Sequence, residues 1–266
     1  MCSALCATLE LLDPSLPLAD ATDLSDHPEQ PQLDNAKHAA RTHAHPFGVI
    51  FDMDGVLVDS AAPHLESWRR LARDNGCDVT PEQFAATFGR QNKDIIPLLF
   101  GSMSESRLRT MSDRKEEIYR QLVRGRVSVV AGAAELVRTL HMAGARLAIG
   151  SSGPRTNIDL VLAEMGVAGL FSTIVSADDV TRGKPDPQVF AIACERLGLP
   201  PDRCVVIEDA PAGVTAAKAA GCRAVAVLMH HPAQCFIDAD LVIDRLSCVA
   251  ISRLLGLVKA APRSFD

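Results

Sequence analysis

The sequence predicts an α/β protein: a parallel sheet with helices on both faces, interrupted after its first strand by a helical insertion. Three observations carry this. From residue 129 onward, short apolar runs of strand length alternate with helical stretches. Residues 61–128 hold helical periodicity and no convincing strand. Four of the strands run directly into polar residues. Parallel strands all point one way, so those polar residues would collect along a single edge, where ligands of such sheets sit.

Taken in order, residues 1–45 mix Pro, Asp, His, Gln and Ala without a sustained period and read as a mobile extension. His43 and His45 lack an accompanying carboxylate or thiol cluster and belong to that solvated tail. "FGVIFDMD" is the first strand. In the insertion, "PHLESWRRLARDNG" sets Leu65, Trp68, Leu71 and Ala72 on one helical stripe closed by Gly76. "TPEQFAATF" offers Thr80 as a cap, Pro81 at the first helical position and Glu82 for a capping box. Helical stretches at 92–100 and 104–123 follow, with hinges expected near Asp59–Pro63 and Gly125–Ala131. The strands "ARLAIGSSG", "FSTIVSADDV", "RCVVIEDAPAG" and "CRAVAVLM" then alternate with helices at 132–143, 155–166, 187–198 and 211–220. The expected organisation is a core of residues 46–60 and 129–260 with 61–128 inserted.

The chain has 266 residues, 47% of them hydrophobic, enough for a sizeable core. A net charge of −6 with no long Lys/Arg block offers no footprint for nucleic acid or an anionic membrane. An anionic ligand must therefore be captured locally, by a metal or by backbone donors. The eight cysteines form no CxxC pair and several lie in apolar segments, so they read as buried free thiols of a reducing compartment. With no run of transmembrane length and no secretory signal pattern at the N-terminus, the expectation is a cytoplasmic protein, a monomer, with a small-molecule partner.

Four strand ends carry the candidate chemistry. In extended chain Asp52 and Asp54 share one face while Met53 turns to the core, and two close carboxylates repel unless a cation lies beside them. An ordinary Asp-Gly turn at Asp54-Gly55 is the bland alternative. "GSSGPR" supplies the Ser151 and Ser152 hydroxyls, Gly153 for close backbone approach, and Pro154 at a helix start, a pattern suited to a phosphate but also to a simple Ser cap. "GKPDP" holds Lys184 between Gly183 and Pro185, able to deliver a fixed charge to the edge or to remain solvated. "EDAPAGVTAAKAAG" adds Glu208 and Asp209, hard oxygen ligands of the kind Mg²⁺ takes. The joint occurrence of acid pair, hydroxyl, lysine and acid pair is far less expected by chance than any one of them.

In these four motifs, in this order, the chain resembles the haloacid dehalogenase superfamily, in its phosphatase branch with a β-phosphoglucomutase-like helical cap. The resemblance spans about residues 47–230 and implies a Rossmann-like parallel-sheet core with the insertion as the cap. It implies an Mg²⁺-dependent phosphatase of small phosphorylated metabolites, sugar or polyol phosphates, with Asp52 as nucleophile and Asp54 as general acid and base. It places the metal on Asp52, Asp54, Glu208 and Asp209. The phosphoryl group falls to Ser151, Ser152, Gly153 and Lys184. In the cap, His64 and Trp68 would border the leaving group, or instead be a surface residue and a core residue. Asn92, flanked by Arg90 and Lys93, stands where the mutase pattern has an Arg that grips a second phosphate. Gly153, Pro154 and Arg155 likewise replace the mutase's Ser-Lys-Asn. Both departures favour a phosphatase over a hexose-phosphate mutase. Retention of Asp54 argues against a dehalogenase, and Lys93 or Lys115 would be the candidates were the protein a phosphonatase. A binding protein on the same scaffold would not need the intact set.

Overall fold

The computed structural model describes residues 46–259; the expected N-terminal extension, with His43 and His45, lies outside them. Strand β1 (Gly48–Phe51) is followed by helices α1 (Ala61–Asp74), α2 (Pro81–Ala85), α3 (Asn92–Phe100) and α4 (Glu105–Val123). Then come α5 (Ala133–Met142), β2 (Arg146–Gly150), α6 (Arg155–Glu164), β3 (Thr173–Val175), α7 (Gln188–Leu197) and β4 (Cys204–Glu208). The chain continues through α8 (Pro211–Ala219), β5 (Arg223–Val227), β6 (Leu241–Ile243) and α9 (Ile251–Lys259). All pairings are parallel, in the order β3-β2-β1-β4-β5-β6. The order reverses between β1 and β4, and the crevice beyond their carboxyl ends is where such sheets bind ligands.

Alternation decides which side chain faces which helical layer. Val49 and Phe51 of β1, with Val205 and Ile207 of β4, face a core shared with α5, α6 and α9. Ile50 and Val206, one position on, face a second core with α7 and α8. Both sides are covered, so the strands are apolar throughout rather than alternating. Burying a residue such as Phe51 completely contributes about 1.5–3 kcal/mol. A third cluster, including Trp68, Leu71, Phe84, Ile96 and Ile118, sits among α1–α4.

The two chain passages that lead into and out of these four helices pair with each other. Val58 bridges Val129 in antiparallel sense, Asp59 N–H donates to the Ser128 carbonyl at 2.8 Å and Val130 N–H to the Leu57 carbonyl at 3.0 Å.

The structure differs from expectation in several details. β6 is a sixth strand that the sequence does not announce, three residues with no period to read. The capping box at Thr80 closes on Gln83 and not on Glu82: Gln83 N–H donates to Thr80 Oγ1 and Thr80 N–H to Gln83 Oε1. Pro154 lies one residue before α6 and not within it. Cys194, Cys204 and Cys222 are buried free thiols, whereas Cys77, Cys235 and Cys248 are exposed; Cys2 and Cys6 lie outside the described residues.

Candidate active site

β1 ends at Phe51, and Asp52 follows as the first residue past the strand, tied to the sheet by its N–H donating to the Ile207 carbonyl at 3.0 Å. The chain then turns back, Gly55 N–H donating to the Val58 carbonyl. Gly55 has φ +81°, and a Cβ there would lie 1.9 Å from Asp209 Oδ2. Only glycine satisfies both the left-handed backbone and the clearance. Glu208 and Asp209 enter from the neighbouring end of β4, so the switch between β1 and β4 brings both acid pairs together.

Lys184 reaches this edge from the loop before α7. Its Nζ donates to Asp52 Oδ1 at 2.8 Å and Glu208 Oε1 at 2.6 Å. Glu208 is fully buried, and its second oxygen accepts from the N–H groups of Asp209 (3.0 Å) and Ala210 (3.1 Å). α8 passes so close that a Cβ on Gly213 would lie 1.9 Å from Glu208 Oε1. Asp52, Glu208 and Asp209 each offer an oxygen within 4.8 Å of the others.

The electrostatics of this cluster call for a cation. Burial, then the Glu208 and Asp54 carboxylates, push Asp52 up to about 7 against the pull of Lys184. Burial and the charges of Glu208 and Asp52 raise Asp209 well above the carboxylate range. The same two acids keep Lys184 raised above its ordinary value although burial opposes its charge. Hard oxygen donors, an excess of negative charge and a glycine-cleared wall fit a divalent ion of the Mg²⁺ type.

Asp54 is held from the side of α1. Ser60 Oγ donates to its Oδ1, and His64 Nε2 lies 3.3 Å from the same atom. Burial works to raise Asp54, but His64, Ser60 and Lys115 outweigh it and hold the carboxyl below its ordinary range. His64 is buried, stacked on Tyr119 at 4.0 Å between ring centroids, with Lys115 Nζ 2.7 Å from its Nδ1. A lysine ammonium only donates, so Nδ1 accepts and Nε2 carries the hydrogen facing Asp54. Lys115 also donates to Glu116 Oε1. Glu116 in turn accepts from Asn92 Nδ2 at 2.7 Å and from Asn157 Nδ2, on α6, at 2.6 Å.

His64 is thus not the surface residue of the bland alternative. Trp68 is core, 2% exposed, although it also contributes to the wall of a small cavity that reaches Asp54, Ser152 and Gly153. Ser151 is buried and its Oγ accepts from Gly153 N–H at 3.1 Å, which occupies one of the amides expected to meet phosphate. A Cβ on Gly153 would meet only ordinary contacts from 3.5 Å outward, so the protein's own packing does not require glycine there. Lys93 Nζ donates to the Thr181 carbonyl, and Arg90 lines the cavity over Asp52 and Asp54. Sequence reasoning missed Ser60, Glu116, Asn157 and the two clearance glycines. The one available signal is the stripe Met111, Lys115, Ile118 and Tyr119, which sets a lysine on the buried face of α4.

Residues 48–221 match the model of the haloacid dehalogenase-like hydrolase family. The chain is 33% identical over 199 residues to validoxylamine A 7'-phosphate phosphatase of Streptomyces hygroscopicus subsp. limoneus, covering 74% of this chain and 93% of that protein. It is 34% identical over 209 residues to hexitol phosphatase A of Escherichia coli, covering 77% and 94%. The structure of β-phosphoglucomutase from Clostridium difficile superposes with a TM-score of 0.72 at 25% identity, covering 81% of this chain and 98% of that one. Among the described residues no helix is long and apolar enough to cross a membrane. The chain belongs to the haloacid dehalogenase-like hydrolase family.

Proposed function

We propose that this protein is a divalent-cation-dependent phosphatase of small phosphorylated metabolites, sugar or polyol phosphates, working through an aspartyl-phosphate on Asp52. The observation that carries the reading is the arrangement around Asp52. One oxygen is held by Lys184, and the carboxyl faces a cavity shared with Asp54, Ser152 and Asp209. The relatives named hexitol phosphatase A and validoxylamine A 7'-phosphate phosphatase support the substrate class.

In the first step the Asp52 oxygen bonds to phosphorus as the ester oxygen departs, and Asp54 gives that oxygen a proton. In the second, water attacks phosphorus, Asp54 takes the water's proton, and Asp52 is released with inorganic phosphate. The environment of Asp54 holds it ionised, the form the second step needs, so it must gain a proton as the ester binds. Lys184 and the Ser151–Gly153 segment hold the phosphoryl oxygens, and Glu208 fixes Lys184 and the start of α8. Mg²⁺ would be held by Asp52 and Asp209, with Glu208 and the Asp54 carbonyl beside them, and when bound neutralises phosphoryl charge. Residues 61–128 act as a cap that excludes bulk water from the first step.

The test is phosphate release across a panel of phosphometabolites, with and without Mg²⁺, for the intact protein and Asp52→Asn. Turnover that depends on Mg²⁺ and is lost in the variant is expected; full activity of Asp52→Asn would reject the nucleophile. Conversion of β-glucose 1-phosphate to its isomer with a bisphosphate primer and no free phosphate would instead establish a mutase.

A further inference from the structure

We infer that Asn157 on α6 is a positioning residue for Asp54: it anchors a bonded path that crosses α4 and α1 and returns to orient the Asp54 carboxyl toward the leaving oxygen. The inference rests on the phosphatase reading and deepens it.

The path begins at a side chain whose orientation is fixed by its neighbours. Asn157 is 1% exposed, its Nδ2 donates to Glu116 Oε2 at 2.6 Å, and its Oδ1 accepts from Arg120 Nη1 at 3.0 Å. Glu116 and Arg120 stand one turn apart on α4, so that helix presents an acceptor and a donor side by side. An amide turned over would set its oxygen against the carboxylate and its NH₂ against the guanidinium, losing both bonds. Arg120 Nη1 also donates to Thr156 Oγ1 at 3.1 Å, on the same turn of α6.

From Glu116 the path runs on without a gap. Lys115 Nζ lies 2.8 Å from Glu116 Oε1 and 2.7 Å from His64 Nδ1, and His64 Nε2 lies 3.3 Å from Asp54 Oδ1. Asn157, Glu116, Lys115 and His64 are all buried. Glu116 Oε1 is shared by Lys115 and the Asn92 amide, whereas among the described residues Asn157 is the only side chain that donates to Oε2. A buried carboxylate stripped of such a donor turns to recover one, and Lys115, whose charge it balances, turns with it. His64 Nδ1 then loses the donor that holds the ring. The link from His64 to Asp54 is the longest of the four, so a displacement upstream is felt most there. None of these bonds involves Asp52, Lys184 or Ser151, so loss of Asn157 should weaken proton delivery to the leaving oxygen and spare capture of the phosphoryl group.

The test compares kcat/KM for nitrophenyl phosphate with that for the polyol or sugar phosphate best used in the panel above. An alkoxide needs a proton to depart and nitrophenolate does not, and kcat/KM reports the steps up to transfer onto Asp52. Asn157→Ala and Asn157→Asp should lower kcat/KM for the alkyl ester by on the order of tenfold more than for the aryl ester, at equal amounts of folded protein. Combining Asn157→Asp with Glu116→Gln exchanges donor and acceptor: the new amide nitrogen donates to the new carboxylate, while the amide oxygen still accepts from Lys115 and Asn92. The double variant should recover most of the wild-type ratio of the two esters. Should neither single variant fold, Arg120→Met removes only the bond on the half-buried side of the Asn157 amide and should move the ratio the same way by less. Equal losses on both esters, an unmoved ratio in the variants that fold, or a folded double variant that recovers nothing would each overturn the inference, while wild-type turnover of the esters leaves the phosphatase reading standing. No hydrolysis of either ester by the wild type overturns both.

Discussion

Replacing Gly213 by alanine separates the site geometry from ordinary helix behaviour. In an unencumbered helix this change stabilises by up to about 1 kcal/mol. At Gly213 the new Cβ would stand 1.9 Å from Glu208 Oε1 and 2.0 Å from its Cδ, where real contacts essentially never fall below 3.0 Å. Glu208 has nowhere to withdraw. It is fully buried, one oxygen is held by Lys184 and the other by two backbone amides. Either the carboxylate gives up such charged hydrogen bonds, each worth about 1.5–3 kcal/mol, or α8 lifts from the sheet. Net of the propensity gain, the loss is about 3 kcal/mol, a fall of roughly 6–12 °C in Tm for a domain of this size. Displacement of Lys184 should also lower kcat by about a hundredfold or more. Gly256→Ala is the internal control, since Gly256 lies in α9 with nothing within 4 Å of its would-be Cβ, and it should raise stability. Thermal unfolding of both variants, with phosphate release for the first, decides the matter. A Gly213→Ala protein as stable and as active as the wild type would refute the clearance argument.

Three further outcomes follow from the same geometry. Because metal-free Asp52 titrates near 7 and Asp209 is raised as well, Mg²⁺ binding at pH 6 should release roughly one proton or more and weaken as pH falls. Calorimetry in two buffers of unequal ionisation enthalpy measures this, and no proton release would count against the cluster as the metal site. His64→Ala removes a hydrogen bond that holds Asp54 low, so kcat should fall by about tenfold or more while the pH profile's acid limb moves upward; an unmoved limb would deny His64 that role. Asp240, just before β6, is depressed because Lys218, the Ala224 N–H and Arg223 outweigh its partial burial. A depressed carboxyl stabilises above its unfolded pKa of about 3.9 and loses that contribution as pH falls through the folded value. Asp240→Asn should therefore be less stable than the wild type in urea at pH 7, with the gap closing below about pH 4.

What the sequence shows is what lies along a single strand end. Asp52, Asp54, Ser151, Lys184, Glu208 and Asp209 each follow an apolar run or sit between turn formers, and the parallel sheet gathers them without further information. The groups that answer them from across space leave weaker traces. Gly55 reads as half of an Asp-Gly turn, and Gly213 as one small residue among alanines, until Asp209 and Glu208 are seen beside them. Lys115 shows itself only as one member of the stripe it shares with Met111, Ile118 and Tyr119, and Glu116 leaves no trace until packing against α1 and α6 buries it. β6 escapes notice because three residues cannot display a period, and its place is fixed partly from outside by Asp240.

The pairing of residues 57–59 with 128–130 has a mechanical consequence. Were the two passages independent tethers, the four helices could slide, tilt or shear over the sheet. Laced together by the Val58–Val129 bridge and its flanking hydrogen bonds, they behave as one short ribbon anchored to β1. A ribbon bends and twists far more readily than it stretches. Any opening of the proposed cap would thereby be reduced to rotation about an axle that begins a few residues beyond the Asp52 carboxylate, so that small angles at the ribbon would become large displacements at Asn92 and Glu116.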